Sequence, residues 1–195
     1  MARRRNKRMT PPRSNSTAEL TKALTRRTKK ELVDVLLELA RADRVVLRKL
    51  TARFEVAAIP DQLVAATLQA IVDATDFDER DLNRNFAYDD EAYAEVKRNL
   101  GRLIAAGQLP LAMQLSLELM KQGSHQVESS DEGMMTQDIE DCLAPVITAL
   151  TKCDLPGHQV LAWCAAMFAN DRVGFICRNP LEALQKRLQT DAARP

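Results

Sequence analysis

The sequence predicts an all-α protein whose helical hairpins stack as a tetratricopeptide-like α-solenoid array, and two observations support this fold class. Leu and Ala account for 52 of the 195 residues, whereas Gly accounts for 6 and the aromatic residues for 8. Leu and Ala lose little entropy in a helix, while strands prefer β-branched and aromatic side chains. Apolar residues also recur at helical spacing along most of the chain. A sheet-rich fold is therefore not expected.

The first part of the chain is predicted to hold an arm and three helices. Residues 1–27 combine like charges, a Pro-Pro pair and few apolar side chains, so we predict a disordered basic arm, with a short weak helix from Ser16 to Leu24 as the alternative. Thr28 and Glu31 form a T-x-x-E capping box. Residues 28–75 are predicted to form a three-helix unit, with apolar stripes through Leu32, Val35, Leu36 and Leu39, then Val46, Leu50, Phe54 and Ala57, then Val64, Leu68, Ile71 and Thr75.

The rest of the chain is predicted to form a helical-hairpin repeat region over residues 91–190. Residues 76–90 are acidic and lack sustained periodicity, which indicates a connecting loop and an internal boundary, with one helical turn as an alternative. Further on, turn residues mark where helices begin and end. The predicted boundaries are a C-cap at Gly107, a start at Pro110, a stop at Gly123 before a polar loop over 124–133, and starts at Pro156 and Asn179. Seven or eight helices result.

Charge is distributed unevenly along the chain. The formal net charge is +1, yet residues 1–30 hold eleven Lys and Arg against one acidic residue, so this segment is +10 and the remainder is −9. Unpaired cations on a flexible segment release counterions when they meet a polyanion. We therefore predict a polyanion-binding segment, with a merely solubilising terminus as the alternative, formed by Arg3, Arg4, Arg5, Lys7, Arg8 and Arg13.

Other chemistry-bearing residues favour structural interpretations. Cys142, Cys153 and Cys164 are 11 residues apart, three helical turns, and with Cys177 form no close pair, which favours free thiols in a core over a zinc site. His125 and His158 lie in no catalytic pattern, so surface positions are expected. The acidic stretch from Asp73 to Asp81 lacks the glycine of a calcium-binding loop. We therefore predict no enzyme activity, no catalytic residue, no metal and no cofactor.

Trp163 lies in the apolar run LAWCAAMF, for which two interpretations remain. The helical spacing of its neighbours favours a core position, since Trp contributes a large buried area. Alternatively the ring lines the concave surface of a helical stack and anchors a partner. Trp163 is therefore a candidate partner-binding residue.

Four segments resemble a known helical domain. Residues 34–50, DVLLELARADRVVLRKL, are similar to a segment of uncharacterised bacterial proteins that carry a SWIM-type zinc finger. Phe86-Ala87-Tyr88, Leu103 to Gly107 and the loop Ser129 to Gly133 fit the same pattern. The resemblance covers roughly residues 30 to 178 and implies a bacterial, all-helical domain of unknown function. The finger's C-x-C and C-x-H pairs are missing, so the resemblance brings no metal site.

The function expected from these observations is a non-enzymatic protein-interaction or adaptor module of helical-repeat type. Stacked helix pairs create extended concave surfaces, so a groove between hairpins would bind a protein or peptide. The alternative is a nucleic-acid-associated factor that binds polyanion through the basic arm. No apolar run is long enough for a membrane span and no signal peptide is recognisable, so a cytoplasmic protein without membrane contact is expected.

Overall fold

The described part of the chain is all-helical, as the composition predicts. The computed structural model describes residues 14–53 and 60–192, which hold ten α-helices and no strand. The helices are α1 (Ser14–Leu24), α2 (Lys29–Ala42), α3 (Arg44–Arg53), α4 (Pro60–Thr75), α5 (Glu79–Asn85), α6 (Asp90–Ala105), α7 (Leu109–Glu128), α8 (Thr136–Leu150), α9 (Gly157–Asn170) and α10 (Arg178–Ala192). None of the described helices is long and apolar enough to cross a membrane.

The chain divides into two compact units, Met1–Val56 and Ala57–Pro195. In the first unit, α2 begins with the predicted capping box. Thr28 Oγ1 accepts a hydrogen bond from the Glu31 N–H, and the Glu31 carboxylate accepts one from the Thr28 N–H at 2.8 Å. Helices α2 and α3 pack against each other, and Ala40 is the buried apolar residue of α2. Of the predicted α2 stripe, Leu32 is half-buried, whereas Val35, Leu36 and Leu39 are exposed. Of the predicted α3 stripe, Val46 and Leu50 are half-buried, and Phe54 and Ala57 lie outside the described residues.

In the second unit, helices α4 and α6 to α10 pack against one another. Helices α4, α6 and α8 are successive neighbours, and α7 packs against all three and against α9. Helix α10 contacts α8 and α9. The core of this unit includes Tyr93, Leu119, Leu143 and Met167, each at most 1% exposed. The inner face of α8 includes Ile139, Leu143, Val146 and Leu150, all of which are buried.

Helix α4 belongs to the second unit, whereas the sequence placed it with α2 and α3. Its buried face runs through Leu63, Thr67, Ala70 and Ile71 and packs on α6 and α7. Leu68, on the predicted stripe, is 42% exposed. Ile71 and Thr75 of the predicted stripe are buried, so the prediction is confirmed for the second half of the helix. In the first half, Leu63 and Thr67 are buried instead of Val64 and Leu68.

The predicted loop over residues 76–90 contains α5. Asp78 caps it by accepting hydrogen bonds from the N–H groups of Arg80 and Asp81. Asn83 Nδ2 donates to the Ser129 carbonyl at 3.1 Å, and its Oδ1 accepts from the Asp131 N–H at 2.9 Å. This short helix is therefore fixed to the segment between α7 and α8 and lies inside the second unit.

Gly123 does not end α7, which continues five residues further to Glu128. A Cβ built at Gly123 would lie 2.8 Å from Ile139 Cδ1 and 3.2 Å from Ile139 Cγ1. This glycine therefore allows α7 to approach α8 closely, a role that local sequence does not distinguish from a helix stop. Gly107, by contrast, has the positive φ of 71° expected of a residue that follows a helix C-terminus.

Candidate protein-interaction groove

Two adjoining depressions run across the outer face of α8, and together we call them the α8 groove. The first, about 580 Å³, lies between α6 and α8, and its apolar wall is formed by Ile104, Pro145 and Ala149. The second, about 330 Å³, lies between α8 and the beginning of α10, beside Phe175. Ala144 and Asp141 line both depressions. The two depressions therefore adjoin along the outer face of α8.

Small side chains on the outer face of α8 create this groove. The inner face carries the large buried residues of the helix, while Ala144, Pro145 and Ala149 face outward. Pro145 has no N–H, so it cannot donate the usual helical hydrogen bond to the Asp141 carbonyl. Asp141 borders both depressions. The outer face of α8 therefore presents small apolar side chains beside the carboxylate of Asp141.

Charged groups occupy the rim of the groove. Lys97 Nζ of α6 lies 2.8 Å from Asp141 Oδ2, and Gln137 Nε2 donates to Asp141 Oδ1 at 2.9 Å. The hydrogen bond from Lys97 lowers the pKa of Asp141, and the same bond raises the pKa of Lys97. Both side chains are about half exposed, so the pair orients the rim without contributing much stability. Lys152 adds a second cation at the other end.

The α10 end of the groove is held by an unusual helix start. Cys177, which precedes α10, has a φ of 51°, and its N–H donates to Glu140 Oε1 of α8 at 2.9 Å. Helix α10 begins at Arg178, one residue before the predicted cap at Asn179. Nearby, Phe175 is 53% exposed. The hydrogen bond to Glu140 fixes this end of α10 against α8, which places an exposed aromatic ring at the groove.

Trp163 is a core residue and not a partner-binding one. It is 5% exposed, and its indole Nε1 donates to the Met113 carbonyl of α7 at 2.9 Å. Burial leaves no ring face for a partner, so the candidate partner-binding role is corrected. The predicted polyanion-binding residues lie outside the described residues: Arg3, Arg4, Arg5, Lys7, Arg8 and Arg13. Disorder was predicted for residues 1–27, but residues 14–24 form α1, which agrees with the short helix that was the alternative.

The four cysteines are free thiols. Cys142, Cys164 and Cys177 are buried and Cys153 is half-buried, which agrees with their predicted place in the core. Burial raises the pKa of Cys142 to about 12, of Cys164 to about 11 and of Cys177 to about 12. These thiols are therefore protonated at neutral pH and poorly nucleophilic. Within the described ranges, no three His, Cys, Asp or Glu side chains are placed to hold a metal ion.

The two histidines are exposed, as expected. His125 lies in the last turn of α7 and not in a loop, because α7 runs past Gly123. Its ring meets Phe77 edge-on at a centroid distance of 5.8 Å, and its Nδ1 lies 3.8 Å from Glu128 Oε2. His158 lies in the first turn of α9. Neither histidine lines the α8 groove.

Sequence reasoning missed the residues that form the groove. Ala144 and Ala149 are ordinary helix formers in the sequence, and Pro145 is a proline inside an otherwise regular helix. The proline was the available signal, because an interior proline costs helix stability and needs a structural reason. Phe175 carried a weaker signal, as a large apolar residue beside the turn glycine Gly174.

No family model, no curated protein and no solved structure matches the chain. The resemblance to the helical domain of SWIM-type zinc finger proteins therefore stays a prediction. The geometry of the described residues carries the functional inference.

Proposed function

We propose that the protein is a non-enzymatic interaction module that binds a peptide or a helix of a partner protein in the α8 groove. The observation that carries this proposal is the pair of depressions that meet at Asp141 and Ala144 of α8, with apolar side chains and charged groups around them. Peptide-binding grooves typically combine pockets for apolar side chains with polar groups at their edges that fix orientation. The exposed ring of Phe175 supplies an aromatic contact of the kind that anchors partners.

The packing order supports a tetratricopeptide-like arrangement for this module. Helices α4, α6 and α8 follow one another as neighbours, while α7 and α9 pack as a second group. Alternation of successive helices between two layers is the organisation of stacked helical hairpins. In such a stack, grooves lie between equivalent helices of one layer. The depression between α6 and α8 has that position.

A matched pair of substitutions tests the groove. Ala144→Arg places a long charged side chain where the two depressions meet, and Ala162→Arg makes the same change on the exposed face of α9. Random peptides displayed on phage would be selected on the wild-type protein and their affinities measured by fluorescence anisotropy. We expect Ala144→Arg to weaken the selected peptides by about tenfold or more, equal to about 1.4 kcal/mol, and Ala162→Arg to leave them unchanged.

Two results would contradict the proposal. One is a selection that enriches no peptide. The other is a set of peptides whose affinity does not change with Ala144→Arg while helix content by circular dichroism stays at the wild-type level.

A second function, polyanion binding through the basic arm, is supported by the charge of +10 over residues 1–30. Its test is filter binding of duplex DNA over a salt series, because each neutralised phosphate contributes about 0.9 to the slope of log affinity against log salt concentration. Replacing Arg3, Arg4, Arg5, Lys7, Arg8 and Arg13 by Gln would lower that slope by up to about 5. An unchanged slope would exclude these six residues as the contact.

A further inference from the structure

The two depressions of the α8 groove differ in the side chains that line them. The larger, between α6 and α8, has an apolar wall formed by Ile104, Pro145 and Ala149, and we call it the α6 depression. The smaller, between α8 and the beginning of α10, is lined by Phe175 and Glu140, among others, and we call it the α10 depression. An aliphatic side chain suits the first, whereas the second presents an aromatic ring and a carboxylate.

The helical geometry of α8 places these two sets of side chains on opposite sides of its outer face. Successive residues are about 100° apart around a helix, so Pro145 and Ala149 lie about 140° and 180° away from Glu140. Glu140 faces α10, because its Oε1 accepts a hydrogen bond from the Cys177 N–H at 2.9 Å. A helix is about 10 Å wide and an extended chain rises about 3.3 Å per residue. An extended peptide that crosses α8 therefore passes from one depression to the other in about three residues.

The α10 depression keeps a negative charge because the basic side chains beside it are already paired. Arg178 Nε donates to Glu182 Oε1 at 2.8 Å, and Lys97 Nζ lies 2.8 Å from Asp141 Oδ2. Glu140, by contrast, accepts its hydrogen bond from an uncharged backbone N–H. These three carboxylates and two cations leave a net charge of −1, which belongs to the half-buried Glu140. A ligand group of opposite charge would compensate it.

A carboxylate beside an exposed aromatic ring suits a cationic side chain. Phe175 is 53% exposed, and a cation over the face of such a ring is attracted by its quadrupole. The Glu140 carboxylate can pair with the same cation, whereas an aliphatic side chain would cover Glu140 without a partner for its charge. We propose, resting on the peptide-binding function above, that the α8 groove takes an extended peptide with Lys or Arg in the α10 depression. An aliphatic residue about three positions away occupies the α6 depression.

A charge-removing substitution in the α10 depression tests this ligand chemistry. Glu140→Gln keeps an oxygen that can accept the Cys177 N–H, so the beginning of α10 stays held against α8. Glu118→Gln is the matched control, since Glu118 is a half-buried glutamate of α7 that lines neither depression. Peptides selected on phage with the wild-type protein would be sequenced, and their affinities for all three proteins measured by fluorescence anisotropy. We expect a basic residue about three positions from an aliphatic one, about fivefold weaker binding to Glu140→Gln, and unchanged binding to Glu118→Gln.

A change in the peptide provides a second readout that does not depend on the folding of a variant. Replacing the basic residue of a selected peptide by Gln should weaken its binding to the wild type by about fivefold and its binding to Glu140→Gln hardly at all, because the partner charge is already gone. Selected peptides that lose affinity with Ala144→Arg but carry no basic residue, or that bind Glu140→Gln as tightly as the wild type, would overturn this ligand chemistry and leave the groove as a binding site. A selection that enriches no peptide would overturn the groove itself.

Discussion

Gly123 provides the sharpest test of how α7 and α8 pack, because one substitution brings two physical effects into opposition. Gly123→Ala removes backbone freedom from the unfolded chain and raises helix propensity, which is worth about 1 kcal/mol in favour of folding. The new Cβ would lie 2.8 Å from Ile139 Cδ1 and 3.2 Å from Ile139 Cγ1. Ile139 is fully buried, so it can move only by disturbing the core. Overpacking of this kind costs about 1–3 kcal/mol.

The expected net effect of Gly123→Ala is therefore a destabilisation of about 1 kcal/mol. Gly101→Ala is the matched control, since this glycine also lies inside a helix, α6, and a Cβ there meets nothing within 4 Å. It should stabilise by about 0.5–1 kcal/mol. Urea denaturation followed by circular dichroism gives both values. If the two substitutions change the free energy of unfolding in opposite directions, the difference comes from the contact with Ile139, because the gain in helix propensity is the same in both.

A double variant completes this test. Ile139→Val removes the Cδ1 atom and alone costs about 0.5–1.5 kcal/mol. Combined with Gly123→Ala, it should cost less than the sum of the two single changes, because the nearest contact is gone. If Gly123→Ala stabilised the protein as much as Gly101→Ala, the close approach of α7 and α8 would be refuted.

Three further predictions concern the buried polar groups of the second unit. Trp163→Phe should destabilise by about 1–3 kcal/mol in urea denaturation, because it removes the donor to the Met113 carbonyl. Tyr93→Phe should cost a similar amount, since the Tyr93 hydroxyl donates to Gln126 Oε1 at 2.6 Å inside the core. Burial raises the pKa of Cys142 to about 12, above its ordinary value of 9.0. Between these two values the thiol ionises only in the unfolded chain. Its contribution to the free energy of unfolding is therefore fully present below pH 9 and is lost as the pH rises toward 12. At about pH 10 the loss is about 1 kcal/mol, and Cys142→Ala should flatten the fall in urea midpoint above about pH 9.

Local signals in the sequence identify helices well but do not identify what each helix packs against. The capping box at Thr28 and the C-terminal glycine Gly107 lie where they were expected, because both depend on residues within a few positions of each other. Leu68 and Gly123 were misassigned because their roles depend on contacts with other helices. An apolar stripe or a glycine shows which positions of a helix can pack closely. Whether they do so depends on the neighbouring helices, which the local sequence does not identify.

The candidate site was less predictable than the fold for the same reason. The α8 groove forms where Ala144 and Ala149 leave space between helices, and small residues carry no functional signal of their own. Trp163 carried a strong signal, yet the nearby Met113 carbonyl satisfies its indole within the core. Sequence reasoning favours conspicuous side chains, whereas a groove depends on where side chains are small.

The uneven charge of the chain separates the two proposed functions by their dependence on salt. Residues 1–30 are +10, whereas the α8 groove has an apolar wall and a rim that carries both Lys97 and Asp141. Raising the salt concentration should weaken polyanion binding by the arm steeply, since each released counterion contributes to the slope. Peptide binding in the α8 groove should respond weakly, because screening reduces only the contribution of its rim charges. Peptide affinity and DNA affinity measured in one salt series should therefore diverge, and an equally steep loss of both would mean that the arm contributes to peptide binding.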